Sequence, residues 1–154
     1  VTILFVFLLS NSFNKSFLGD NGSYLIGFFT AIFLINFSNQ NQMVSQYFVA
    51  VLLWYPAFEN FFSLTRRLLS EKKKIKNADN LHLHHLLFVF INAKLNNSKF
   101  TNTFTGLIIN LFNLLIFIIA NNYIYQTKVL ILILGLSIFI YITVYFFLKR
   151  NIKL

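Results

Sequence analysis

Cysteine is missing from this chain altogether, which excludes disulfides and thiolate metal sites. Acidic residues are nearly missing too: Asp20, Glu59, Glu71 and Asp79 are the only 4 among 154 residues. Proline occurs once, at Pro56. Charged residues make up 11% of the chain, against 57% hydrophobic and 19% aromatic, and the mean hydropathy is +0.68. That balance lies far above the apolar share of a soluble domain and describes an integral membrane protein. The net charge of +9 raises the question of a nucleic-acid partner. The lysines and arginines, however, flank apolar stretches and build no aromatic-interleaved patch, so no nucleic acid is expected.

What is abundant is hydrocarbon in long runs. Crossing about 30 Å of bilayer core takes about 20 helical residues. Four candidate spans follow: Ser23 to Phe37 (extendable to Asn39), Val44 to about Leu64, Thr105 to Ala120, and Val129 to Leu148. The stretch Val1 to Leu9 is apolar, with no basic leader and no small-residue cleavage site, so it does not read as a signal peptide. We read it as the end of a truncated transmembrane helix. The expected fold is therefore all-α: a polytopic transmembrane bundle of about four complete spans plus the end of one more. Residues 1–154 are expected to be the C-terminal part of one integral membrane domain.

Charge distribution sets the orientation. Lys15, the basic residues of 66–99, and Lys149, Arg150 and Lys153 fall on one side of the alternating spans, and Lys128 alone falls on the other. Positive residues stay in the cytoplasm. The segment 66–104 is therefore expected to be a cytoplasmic loop, and the segment around Asp20 shares its face of the membrane.

Two polar islands lie on that face. The first is Gly19-Asp20-Asn21-Gly22-Ser23, which reads locally as a turn with Ser23 able to cap the following helix. It also holds a carboxylate at the membrane surface, suited to a hard cation such as Mg2+, which takes one or two carboxylates and completes its shell with water and substrate phosphates. Asp20 alone would not hold the ion. The second island is Asp79-Asn80-Leu81-His82-Leu83-His84-His85, which contains all 3 histidines. A zinc site is disfavoured by spacing, since on a helix 82 and 85 share a face while 84 points away. No third ligand is evident beyond Asp79. Asp79 instead suits the N-cap of a helix running from Leu83 to Ile91, with the histidines in its first turns beside free backbone N–H groups. Imidazoles near Arg66 and Arg67 would then cradle a nucleotide diphosphate. Pro56 is expected to give its span a simple exit kink; the alternative is that the kink turns Glu59 and Asn60 toward a cytoplasmic cavity.

The residues Phe17 to Phe28, then Tyr55-Pro56 with Arg66-Arg67, then Ala78 to His85, resemble in order and spacing the C-terminal half of the polyprenyl-phosphate N-acetylhexosamine-1-phosphate transferases, the glycosyltransferase 4 family. The resemblance covers about residues 1–95. It is nearer to the bacterial branch that starts O-antigen, common-antigen and teichoic-acid linkage chains than to the muramoyl-pentapeptide branch. It implies transfer of a sugar-1-phosphate from a UDP-sugar to undecaprenyl phosphate, releasing UMP, at the cytoplasmic face of the bacterial inner membrane. It also implies Asp20 as a magnesium-site aspartate, and His82, His84 and His85 as the cytoplasmic histidine motif that meets the nucleotide sugar. Arg66 and Arg67 would be phosphate contacts, with Asn21 and Asp79 beside the substrate.

The family's paired aspartates have no counterpart here, so residues 1–154 by themselves are expected to be inactive. The expected partners are the UDP-sugar, the polyprenyl phosphate and the bilayer, with a homodimer left open. The rival expectations are a non-catalytic remnant of the family or a transporter-like bundle. Transporters gather polar residues near the bilayer midplane, whereas here they gather at one face.

Overall fold

The computed structural model describes residues 6–7, 9–11, 15–69, 81–95 and 98–152. These residues are helical with short connections and contain no strand. The helices are α1 (Gly19–Gln40), α2 (Gln46–Leu69), α3 (Leu83–Leu95), α4 (Ser98–Asn121) and α5 (Thr127–Asn151). Four of them, α1, α2, α4 and α5, are long and apolar enough to cross a membrane. The protein is thus an all-α, multi-pass membrane bundle. Each expected span is present, and each helix is longer than the apolar run that predicted it, because hydropathy marks only the part inside hydrocarbon. The chain divides into two compact units, 1–43 and 44–154.

In the first unit, α1 begins four residues earlier than its apolar run. Gly19-Asp20-Asn21-Gly22 forms the helix's first turn rather than a separate turn before it. Ser23 does not cap the helix from outside; its hydroxyl donates back to the Gly19 carbonyl at 2.9 Å from within. The glycines explain the early start. Gly19 has φ of 65°, a left-handed backbone that admits glycine most easily. At Gly22, a Cβ would come within 2.8 Å of the Leu18 side chain, so Leu18 closes over the helix start only because nothing projects there. Of α1, only Leu34 is buried.

In the second unit, α2 packs on α5 and α4, and the short α3 packs on α4 and α5. Two side-chain ties show that α2 and α5 run parallel and in register. Ser45 Oγ lies 2.9 Å from Thr127 Oγ1, and the Tyr141 hydroxyl lies 2.7 Å from Glu59 Oε2; both pairs are 82 positions apart. They lie about 21 Å apart along the axis at 1.5 Å per residue. The Ser45 N–H also donates to the Ile124 carbonyl at 3.0 Å, which fastens the α4–α5 turn to the start of α2. Consequently Arg66 and Arg67 end α2, and Lys149 and Arg150 end α5, at one end of the unit. Lys128 begins α5 at the opposite end.

The core is not distinguished by being greasier than the surface. The buried stripe of α5 is Leu130, Ile133, Ser137, Tyr141, Tyr145 and Leu148, spaced by three and four. Its outward face carries Leu132, Leu136, Phe139 and Phe146, all exposed. Lipid tails are as apolar as leucine, so packing and hydrogen bonding decide which face turns inward. Aromatic edges fill the seam between α2 and α5: Phe58 to Tyr141 at 5.1 Å and Phe62 to Tyr145 at 4.8 Å between ring centroids.

Pro56 does not end α2, which continues to Leu69. Its ring is exposed, so the lost N–H falls on the outer side of the helix, away from the bundle. Glu59 and Asn60 do not face one cavity together. Glu59 is buried and Asn60 is exposed, as the 100° step between successive helical residues requires.

Candidate functional site

The site is built around Glu59, the one buried acid among the described residues. A carboxylate within an apolar bundle is costly unless its oxygens are taken up by donors. Glu59 is 7% exposed and is met by donors from two other elements. The Tyr141 hydroxyl of α5 donates to Oε2 at 2.7 Å. The backbone N–H of Leu83, the first residue of α3, donates to Oε1 at 3.0 Å. His82 Nδ1 lies 3.0 Å from the same Oε1. Ser63, one turn along α2, places its hydroxyl 3.1 Å from His82 Nδ1. With a proton on Nδ1, the imidazole donates to the carboxylate.

The second island therefore differs from its sequence-based expectation in a specific way. α3 starts at Leu83, so the residue preceding the helix is His82 and not Asp79. The first-turn N–H of Leu83 is satisfied from another helix, by Glu59. Because His82 stands before the helix, the 100° rule does not separate it from His84. The two rings stack, with centroids 5.4 Å apart and an interplanar angle of 18°. One ligand atom each from Glu59, His82 and His84 lies within 4.8 Å of the others.

His84 is exposed, and partial burial of its ring pulls its pKa below the ordinary histidine value. Glu59 works against that shift, while His82 and His85 add to it. His85 is outside the trio; its Nδ1 is buried and has no hydrogen-bond partner among the described residues.

Arg66 and Arg67 lie in the last turn of α2, both partly buried. They follow Glu59 and Ser63 on one helical stripe at steps of three and four residues, and they complement the negative end of the helix dipole. Asp79, with Glu71 and the lysines at 72, 73, 74 and 76, lies outside the described residues. The expected 66–104 loop contains the end of α2, all of α3 and the start of α4.

Asp20 and Asn21 belong to the other unit, where both are exposed in the first turn of α1. The helix N-terminus favours the negative charge of Asp20. Within 1–43 it is the sole acid.

Tyr141 and Ser63 are the members that the sequence concealed. Glu59 had a signal, being an acid within an apolar span. Tyr141 is one of 7 tyrosines in the chain and nothing local marks it. Alongside the cluster, Ala50, Leu53, Trp54, Ala57, Phe61 and Ile138 line an apolar groove of about 340 Å³ between α2 and α5. No family model, curated protein or solved structure matches the chain.

Proposed function

We propose that this chain is part of an enzyme of the glycosyltransferase 4 type. It transfers a sugar-1-phosphate, an N-acetylhexosamine-1-phosphate by the motif resemblance, from a UDP-sugar to undecaprenyl phosphate, and so starts a cell-envelope glycan. The carrying observation is that His82 and His84 are gathered on the buried Glu59, on the stripe of α2 that ends in Arg66 and Arg67. An oxygen of the lipid phosphate attacks the sugar-bearing phosphorus, the bond to the uridine-side phosphate breaks, and UMP leaves. Such a reaction asks the protein mainly for alignment and for charge neutralisation on oxygen.

In this reading the guanidinium groups and the imidazoles hold the diphosphate, and Glu59 with Ser63 fixes the tautomer of His82. The polyprenyl tail has the apolar groove beside Trp54 and Phe61. The face is cytoplasmic by the positive-inside argument, and the membrane is the bacterial inner membrane by the resemblance.

Magnesium enters the proposal through Asp20. One exposed carboxylate does not make a site for it, so the residues described here do not by themselves fit the ion, and no step is routed through it. The resemblance assigns the further carboxylates to residues outside 1–154.

The test uses the full-length protein in membranes and follows exchange of labelled UMP into UDP-sugar with Mg2+ present. Asp20→Asn and His84→Ala are each expected to abolish or sharply reduce exchange. Ordinary exchange in both variants overturns the assignment.

A further inference from the structure

We propose that Glu59, His82 and His84 form a binding site for a divalent ion of the zinc class. Two imidazole nitrogens and one carboxylate oxygen are a donor set that zinc takes when a fourth position stays open for water or substrate. Magnesium, which prefers oxygen in octahedral array, is poorly served by two imidazoles. The ion is therefore of a different kind from the one proposed at Asp20, and the inference does not rest on the transferase reading.

Four features make this more than two histidines near an acid. Glu59 and His82 are already held at 3.0 Å, and an ion would take the place of the shared proton. The carboxylate is oriented from behind by the Tyr141 hydroxyl at 2.7 Å and the Leu83 N–H at 3.0 Å. Such outer hydrogen bonds fix the direction of a ligand in metal sites. His84 approaches from the exposed side, stacked on His82. A tetrahedral zinc with bonds of about 2.0–2.1 Å asks for about 3.4 Å between ligand atoms. The ligand atoms of the trio lie within 4.8 Å of one another. The widest separation thus closes by about an ångström and a half, and an exposed side chain in the first turn of α3 can make that movement.

The open position would face the surface where His84 is exposed. A water there would be acidified by the ion, and a phosphate oxygen could replace it. Binding of this ion and of a diphosphate at the same imidazoles is therefore compatible.

The experiment titrates Co2+ into the metal-stripped, full-length protein in detergent and reads the visible absorption of the ion, with bound metal counted after desalting. About one ion per chain with a four- or five-coordinate spectrum is expected, displaced by Zn2+ and not by Mg2+. Loss of an outer hydrogen bond typically weakens a metal site by about 10–100-fold, so loss of a direct ligand in His84→Ala should weaken Co2+ binding by more than about 100-fold. Because His84 is exposed, this variant tests the site without threatening the fold; Glu59→Gln is the second variant, checked first for intact folding. No bound cobalt in the parent protein, or an undiminished spectrum in His84→Ala, overturns the proposal. Cobalt binding without UMP exchange would retain this site and remove the transferase reading, and exchange without cobalt binding would do the converse.

Discussion

Two acids, Asp20 in the first polar island and Glu59 of α2 against the histidines of the second, are used in opposite ways. Asp20 sits exposed in the first turn of α1, where water and the helix dipole stabilise it and its placement depends on residues within a few positions. Glu59 sits buried within a bundle, and its placement depends on Tyr141, 82 positions away, and on Leu83, 24 positions away. An exposed carboxylate can be placed by local turn chemistry alone. A buried one must be met by donors from elsewhere, because each unmet lone pair or unmet donor in a low-dielectric interior costs free energy. The first island is therefore a local device that variants can alter without disturbing the fold. The second is a junction of α2, α3 and α5, and changing it changes the packing.

The largest break of that contrast is Glu59→Ala. It strands the Tyr141 hydroxyl, the Leu83 N–H and the His82 ring together, and should cost about 3–5 kcal/mol, since each buried donor left unmet costs about 1–3 kcal/mol. Reversible unfolding in mixed micelles measures it, and a loss below about 1 kcal/mol would show that the junction does not hold the bundle. Tyr141→Phe keeps the ring packing and removes only the hydrogen bond to Oε2. A bond to a charged group is worth about 1.5–3 kcal/mol, so this variant should fall clearly between the parent and Glu59→Ala.

On the other side of the contrast, Gly19→Ala forces a side chain into left-handed backbone at the start of α1 and should cost about 1–2 kcal/mol. Its effect should be local, seen as faster amide exchange over 19–23 with the exchange of α5 unchanged. Equal acceleration in α5 would deny the island its local character. Asp20→Asn, whatever it does to exchange of UMP, should shift stability by no more than about 0.5 kcal/mol, as exposed substitutions do. Ser45→Ala, at the far tie between α2 and α5, should be comparably small because its hydroxyl partner Thr127 is exposed to water.

Element identity was readable because the physics of a membrane is coarse. Runs of some 20 apolar residues can satisfy their backbone in hydrocarbon only as helices or closed barrels, and these runs have the length of helices. Boundaries were less readable. α1 begins at Gly19 and not at Ser23, because a glycine-rich first turn carries no hydropathy signal. The helical-face argument separated His82 from His84, and failed because it assumed that His82 was inside the helix. Asn60 was paired with Glu59 as neighbours facing one cavity, yet one helical step sends the first outward and the second inward.

The sequence by itself determined that this is a multi-pass helical protein and, within 44–154, where its basic ends gather. Hydrocarbon content, lysine placement and the rarity of acids are sums over the chain, and sums survive without coordinates. Only the tertiary structure decided which face of α5 turns inward, that Glu59 meets the start of α3, and that Tyr141 belongs to the site. In a chain apolar on every side, burial is chosen by packing and by the pairing of a few distant polar atoms. Those pairings span 24 and 82 residues, beyond the reach of any local pattern.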